Sequence, residues 1–163
     1  MKTNFVFTEE TKKRHQMLLS YLEDGIPVLL EGPTGTSKTF SAEFSCELSG
    51  RKLIRFNINP ETKLAYLAGQ YDGDSNSQGR IFHSKGPFIV AFEEGQTLLL
   101  EEINFAIPEC IQFIEDSLDS GIIKVELPGM PLREIHMHEN FRLIVTRIPI
   151  ERECLPASFL SRF

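Results

Sequence analysis

The chain has 163 residues and a formal net charge of −6, with 41% hydrophobic and 25% charged residues. This length predicts a single globular domain that buries about two-thirds of its unfolded surface, and the acidic balance argues against general binding to nucleic acid or to anionic membranes. No stretch approaches the roughly 18 consecutive apolar residues of a membrane span, and we find no charged-then-apolar leader.

Helices and strands alternate along the first half of the chain, because helical and alternating hydrophobic spacings follow each other between glycine and proline breaks. The predicted elements are a helix over 8–22 that stops before Gly25, a strand over 27–31, a helix over 37–48 and a strand over 52–58. The inner face of the first helix is expected to carry Met17, Leu18, Tyr21 and Leu22. His15 is expected at the surface. Residues 1–25 are thus an N-terminal helical segment that leads into a core over 26–163.

The second half of the chain predicts hairpins inserted between further helices and strands. A polar segment over 70–79 forms a loop or hairpin tip, and Pro128-Gly129 joins strands over 122–126 and 132–137. The remaining predicted elements are a helix over 87–94, a strand over 97–100, a helix over 108–118 and a strand over 141–145. This order predicts an α/β fold with a central parallel sheet, helices on both faces and an inserted β-hairpin.

One segment has the composition and the position of a phosphate-binding loop, between a strand and a helix. It consists of Gly32, Pro33, Thr34, Gly35, Thr36, Ser37, Lys38 and Thr39. In such a loop, backbone N–H groups and the helix N-terminus bind a β-phosphate. Lys38 would contact the β- and γ-phosphates, and the Thr39 hydroxyl would bind Mg²⁺. The alternative is a surface turn with an incidental lysine, which the strand before and the helix after disfavour.

Two acids, Glu101 and Glu102, directly follow the apolar strand that ends at Leu100. Open α/β sheets bind their ligands at the carboxyl ends of the strands, where these side chains are expected. Glu101 would orient a hydrated Mg²⁺, and Glu102 would polarise the attacking water. The alternative is a strand that ends in solvated glutamates, and the phosphate loop makes that alternative weaker.

Taken together, these segments resemble the AAA+ ATPases of the dynein-related, midasin-like group. The similar segments are the phosphate loop and residues 67–71, 86–88, 98–106, 140–143 and 159–163. The resemblance implies a P-loop NTPase three-layer sandwich, ATP and Mg²⁺ as ligands, a ring of such subunits or modules, and an unknown protein partner that hydrolysis remodels. It also implies that Arg162 acts as an arginine finger on the γ-phosphate of an adjacent subunit.

Four departures from the group's pattern favour a second hypothesis, a nucleotide-binding structural module with weak or no hydrolysis. Ser37 replaces a glycine, so the loop must accept a Cβ near the phosphates. Glu101 replaces an aspartate, which changes the reach to Mg²⁺ by ~1.5 Å. Ile148 replaces the sensor asparagine, and the helical lid that follows the core in this group is expected to be absent. A third hypothesis is a small P-loop phosphotransferase. It is disfavoured because such enzymes carry a mobile basic lid, and we find no such segment in this sequence.

Other metal or disulfide chemistry is disfavoured. His136 and His138 share a strand face but have no third ligand nearby in the sequence. Cys46, Cys110 and Cys154 are too few and too scattered for a disulfide framework or a zinc site. We therefore expect reduced thiols in an intracellular protein of the cytoplasm or nucleus.

Overall fold

The structure, a computed structural model, describes residues 8–73, 81–125, 132–149 and 155–163. The helices in these ranges are α1 (Glu9–Asp24), α2 (Lys38–Leu48), α3 (Leu64–Ala68), α4 (Pro87–Glu94), α5 (Pro108–Ser120) and α6 (Ala157–Leu160). The strands are β1 (Val28–Glu31), β2 (Leu53–Asn57), β3 (Gly69–Gly73), β4 (Ile81–Lys85), β5 (Thr97–Glu101), β6 (Ile122–Val125), β7 (Arg133–His136) and β8 (Arg142–Arg147). A short 3-10 helix, Ile103–Phe105, follows β5.

A four-stranded parallel sheet forms the centre of the fold, in the order β1-β8-β5-β2. Two antiparallel hairpins, β3–β4 and β6–β7, lie outside it. Parallel strands need crossover connections, and the helices supply them. The predicted parallel sheet and inserted hairpin are therefore confirmed. Of the loop or hairpin tip predicted over 70–79, residues 70–73 belong instead to β3, because they pair with β4, and the rest lies outside the described residues, as does Pro128-Gly129.

The sheet separates two hydrophobic clusters, so the molecule has three layers. In β5, Leu98 and Leu100 belong to the cluster that includes α4 and α5, whereas Leu99 belongs to the cluster with α1 and α2. Successive side chains of a strand point to opposite faces, and both faces of this sheet are covered. This explains why β5 is apolar along most of its length rather than alternating.

The packing of α1 on α2 corrects two expectations about the first helix. The buried residues of α1 are His15, Leu18 and Leu22, whereas Met17 is 57% exposed and Tyr21 39% exposed. Residues three and four positions apart share a helix face, so burial of 15, 18 and 22 places the other two at its margin. The prediction of His15 at the surface was wrong, because its ring packs on the ring of Phe44 at a centroid distance of 5.0 Å.

Two glycines touch where the β3–β4 hairpin joins the core. A Cβ on Gly69, which has φ +98°, would overlap the carbonyl oxygen of Ser84. A Cβ on Gly86 would overlap the carbonyl oxygen of Leu67. Any larger residue at either position would push the backbones apart, so only glycine fits this crossing.

The short helix α6 was not predicted from the sequence. Its four residues are too few to show a helical period, and Pro156 precedes it. Phe159 is fully buried and its ring lies 5.1 Å from that of Phe163. This packing fixes the segment that carries Arg162.

Two thiols are buried in the described part of the chain. Burial raises the pKa of both Cys46 and Cys110, which are free cysteines. Cys154 lies outside the described residues. A search of the described helices finds none that is both long enough and apolar enough to cross a membrane.

Candidate functional site

The loop between β1 and α2 is held by its own hydrogen bonds. The Thr36 hydroxyl donates to the Pro33 carbonyl at 2.8 Å, which closes the turn. A Cβ on Gly32 would lie 2.9 Å from the Thr36 Oγ1 atom, so a larger residue would displace the hydroxyl that closes the turn. The loop thus leads directly into the N-terminus of α2, whose unpaired N–H groups favour an anion.

Lys38 lies over this loop rather than in solvent. Its Nζ donates to the Gly32 carbonyl at 2.6 Å and to the Pro33 carbonyl at 2.9 Å. These two carbonyls keep the ammonium group beside the loop. A phosphate bound there would offer the ammonium a charged acceptor in their place.

Ser37 adopts a left-handed backbone conformation, with φ +60° and ψ +27°, at the N-cap of α2. This conformation is unfavourable for residues with a Cβ and is easy for glycine. This backbone conformation would suit the glycine that the resemblance implies at this position, and the serine adopts it at an energetic cost.

The two residues predicted to serve a metal are in direct contact. The Thr39 hydroxyl donates to Oε1 of Glu101, which lies at the end of β5 and is partly buried. A hydroxyl and a carboxylate are oxygen ligands of the kind that Mg²⁺ prefers. The residues present therefore fit a magnesium ion that also contacts the phosphates of a nucleotide.

Glu102 has a second left-handed backbone, with φ +60° and ψ +46°. Its N–H donates to Oγ1 of Thr146 at 3.1 Å, and Thr146 in β8 is 2% exposed. This hydrogen bond holds the strand end in a conformation that the chain would otherwise avoid. The backbone therefore turns sharply at Glu102, directly after the end of β5.

One cleft, with a volume of about 250 Å³, is bordered by the phosphate loop, the N-terminus of α2 and both acids. Its lining residues are Thr34, Gly35, Thr36, Ser37, Lys38, Thr39, Asn57, Glu101, Glu102, Thr146 and Ile148. The cleft can hold a phosphate chain next to two carboxylates. Gly32 and Pro33, at the start of the loop, line an adjoining depression rather than this cleft.

Ile148 brings an apolar side chain to this cleft, where the resemblance implied a polar sensor. Its backbone N–H donates to the side-chain oxygen of Asn104 at 3.3 Å. The nearby Thr146 is engaged with the backbone of Glu102. Ile148 itself supplies no polar side-chain atom to bind a water molecule.

Arg162 does not line the cleft, and its side chain binds α5. Its Nη1 atom donates to Oε1 of Glu115 at 2.8 Å, and its Nε atom donates to Oδ1 of Asp119 at 3.1 Å. The hydrogen bond from Arg162 lowers the pKa of Asp119. Within one chain this guanidinium is bound to carboxylates of α5, so a role for it on a bound phosphate would concern another subunit.

Arg55 is a site residue that the sequence did not reveal. It lies in β2, beside β5, and its Nη2 atom donates to Oε2 of Glu101 at 2.9 Å. This hydrogen bond raises the pKa of the Arg55 guanidinium. A charged residue within a mostly apolar strand was the available signal, but its partner depends on a strand pairing that the sequence alone does not give.

Comparisons with known proteins concern the family and the fold of this chain. A family profile described as AAA domain (dynein-related subfamily) matches residues 27–163. The chain is similar to midasin from Dictyostelium discoideum, at 28% identity over 158 residues, which are 94% of this chain and 3% of that protein. It is also similar to an uncharacterized protein from Staphylococcus saprophyticus, at 34% identity over 119 residues, which are 72% of this chain and 44% of that protein.

Among solved structures, a candidate ATPase from Cytophaga hutchinsonii matches with a TM-score of 0.69 and 22% sequence identity. The match covers 94% of this chain and 44% of that chain. At this identity the likeness concerns the fold, and it agrees with a three-layer P-loop sandwich. The chain spans less than half the length of each of these proteins.

Proposed function

The chain belongs to the dynein-related subfamily of the AAA domain, and from that premise we propose that it binds ATP with Mg²⁺ in the described cleft and hydrolyses it. Membership of this family supports nucleotide binding and an ATPase-type function. The resemblance to midasin-like ATPases is confirmed by the family profile and by the similarity to midasin. Hydrolysis, the metal requirement and the roles of single residues are our proposals.

One observation carries the proposal: the hydrogen bond between the Thr39 hydroxyl and the Glu101 carboxylate. It joins the first turn of the phosphate-loop helix to the end of the strand that carries the acids. Thr39 and Glu101 would hold a magnesium ion together with the nucleotide, which requires the two elements to lie close together, as they do here. Glu102 follows directly and borders the same cleft.

In the proposed reaction, the N–H groups at the start of α2 bind the phosphates, and Lys38 exchanges the Gly32 and Pro33 carbonyls for them. Mg²⁺ would neutralise charge on the phosphate oxygens. Glu102 orients a water molecule and accepts its proton as the new oxygen–phosphorus bond forms. The bond to the bridging oxygen breaks, and ADP leaves with that electron pair.

The proposed function extends to a neighbouring subunit. In this proposal, subunits or modules of this kind form a ring, Arg162 stabilises charge on the neighbour's γ-phosphate, and hydrolysis remodels a protein partner. Guanidinium groups suit this task because they are always charged and bind phosphate oxygens in pairs. Arg162 must leave Glu115 and Asp119 to reach that position.

A second candidate function is a module that holds a nucleotide without turning it over. Ile148 favours it, because the cleft lacks a polar side chain at a position where one would help to orient water. Catalysis of this kind depends on positioning and on charge stabilisation, so the loss of one such group lowers the rate much more than the affinity.

Two measurements on the same sample separate these candidates: binding of a fluorescent ATP analogue and release of inorganic phosphate. We expect Lys38→Ala to weaken nucleotide binding by more than tenfold, because the phosphate charge loses its counter-charge. Glu102→Gln should leave binding unchanged and slow phosphate release by about a hundredfold or more, the range for a positioned proton acceptor. Binding without phosphate release in the unmodified protein would favour the nucleotide holder, and unaltered binding by Lys38→Ala would refute the site.

A further inference from the structure

Arg55 connects the two halves of the cleft. Its guanidinium donates to Oε2 of Glu101 from Nη2 at 2.9 Å and from Nε at 3.3 Å. Its Nη1 atom donates to Glu43, which lies in α2. The strand that carries the acids and the helix that follows the phosphate loop are therefore joined through one side chain.

Both carboxylate oxygens of Glu101 are engaged. Oε2 accepts both hydrogen bonds from Arg55, and Oε1 accepts the hydroxyl of Thr39. The Glu101 side chain is 14% exposed, whereas that of Arg55 is 49% exposed. Arg55 thus holds Oε2 of the carboxylate, while Oε1 contacts Thr39, the other candidate metal ligand.

A glutamate at this position needs such a restraint more than an aspartate would. Its side chain has one more rotatable bond, so an unrestrained carboxylate would occupy several rotamers. Two guanidinium donors on one oxygen fix the position of Oε2, and the Thr39 hydroxyl on Oε1 then fixes the plane of the carboxylate. Outer partners of this kind orient metal ligands and influence metal affinity.

We propose that Arg55 is a positioning residue for Glu101: it holds Oε2 so that Oε1 faces Thr39 and the hydrated magnesium ion. This inference rests on the proposed function, because it names how this chain accommodates a glutamate in its metal site. Arg55 is not a catalytic residue, since it contacts the cleft through Glu101.

Two effects of removing Arg55 act in opposite directions. Loss of its charge would leave Glu43 and Glu101 without their shared cation, which by itself would favour Mg²⁺. Loss of the paired contact would release the Glu101 side chain, which disfavours Mg²⁺. The half-exposed guanidinium is screened by water, so the positional effect is expected to dominate.

The test is the Mg²⁺ concentration that gives half-maximal binding of a fluorescent ATP analogue to the full chain. We expect Arg55→Met to raise this concentration by about tenfold, the lower end of the range for outer partners of metal ligands. Binding of the analogue in the presence of a chelator should stay within about twofold of the unmodified protein, because the phosphate loop is untouched. If Arg55→Met does not fold, Arg55→Lys keeps the charge without the paired donors, and a smaller rise is expected.

Two further variants show whether Arg55 acts through Glu101. Glu43→Gln removes the other partner of Arg55 and should leave the half-maximal Mg²⁺ concentration within about twofold. In a Glu101→Asp background the shorter carboxylate cannot keep both contacts, so Arg55→Met should add no further rise. A full additional rise in that background would overturn the inference.

The outcomes separate this inference from the proposed function. If the unmodified protein binds the analogue without any dependence on Mg²⁺, the proposed function fails and the inference fails with it. If binding depends on Mg²⁺ and Arg55→Met leaves the half-maximal concentration unchanged or lowers it, the inference alone fails.

Discussion

Ser37 and Glu102 are the non-glycine residues with positive φ in the described part of the chain, and both border the cleft. Such conformations cost free energy and persist where the surrounding structure holds them. Glu102 has the hydrogen bond to Thr146, whereas Ser37 makes no capping hydrogen bond through its side chain. Because Glu102 is the proposed proton acceptor, Ser37 is the position where a substitution can relieve strain without removing that carboxylate.

Replacing Ser37 by glycine should raise the free energy of unfolding by up to about 1 kcal/mol. A left-handed residue with a Cβ costs about 1–2 kcal/mol, and part of this gain is offset by the greater freedom of glycine in the unfolded chain. Ser37→Val should lower it by about 1 kcal/mol or more, since branched residues tolerate positive φ poorly. Urea unfolding of the variants measures both changes.

The matched control for this prediction is Ser161→Gly. Ser161 has φ −67° and its hydroxyl donates to the Ser158 carbonyl at 2.8 Å, so glycine there relieves no strain, loses that hydrogen bond and should lower the free energy of unfolding. A glycine at position 37 that destabilises the protein as much as one at position 161 would contradict the assignment of strain.

The sequence indicated the phosphate loop and the two acids that border the cleft, but it did not reveal Arg55 or the backbone conformations that hold these residues. Ser37 was recognisable as a departure because the loop pattern assigns a glycine to its position. The left-handed turn at Glu102 was not, because it depends on a hydrogen bond from a distant strand. Arg55 was missed for the same reason, since β2 pairs with β5 across two intervening helices and a hairpin.

At the scale of whole elements, the contact between α1 and α2 buries a titratable ring. His15 is 4% exposed, and its Nδ1 atom lies 3.3 Å from the hydroxyl oxygen of Ser45. Burial lowers the pKa of His15, and the neighbouring charge of Arg14 adds to the effect. The neutral ring is therefore the form that the packed helices favour.

This burial predicts a pH dependence of stability. Between the lowered pKa of the folded protein and the ordinary value near 6.5, the unfolded chain binds more protons than the folded one. The free energy of unfolding should therefore fall as the pH is lowered through and below about 6.5. His15→Gln should remove that part of the slope in urea titrations at a series of pH values.

His136→Gln is the control for this experiment, because His136 is exposed in β7. It should keep the slope of the unmodified protein. If His15→Gln and His136→Gln give the same pH dependence, the packing of α1 on α2 does not govern the titration.

Element boundaries were predictable wherever local chemistry sets them. α1 ends at Gly25 and α5 begins at Pro108, as their sequence signals indicate. Burial was less predictable, because Met17 and Tyr21 lie at the margin of a helix face whose centre depends on how α1 crosses α2. The helix α6 was not predictable, because its four residues are too few to show a helical spacing of apolar side chains.

At the scale of the whole molecule, the position of Arg162 outside its own cleft leads to a test between subunits. Lys38→Ala subunits should have a defective cleft but an intact Arg162. Arg162→Ala subunits should have an intact cleft but no arginine to offer a neighbour. If Arg162 acts on a neighbour, a mixture of the two should release phosphate faster than the sum of the separate preparations. Phosphate release at a fixed total protein concentration measures this recovery.

In the control, Arg162→Ala subunits are mixed with subunits that carry both Lys38→Ala and Arg162→Ala. Neither partner then has Arg162, so phosphate release should not recover. Loss of Arg162 leaves the Glu115 carboxylate, 8% exposed, without that ion pair, so circular dichroism must first show that each variant is folded. Phosphate release by the unmodified protein without recovery in the first mixture would contradict action between subunits.

At the base of the β3–β4 hairpin the backbones of Gly69 and Gly86 are in contact. We therefore expect the length of the hairpin to have little effect on the geometry of the core. Because these backbones meet at the hairpin's root, residues can be added or removed beyond it while α4 keeps its place on the sheet. α4 leads into β5, which presents Glu101, so reshaping the outer hairpin would leave the carboxylate where it is. A protein engineer could therefore graft a foreign peptide there, whereas an alanine at the root would disturb the whole arrangement.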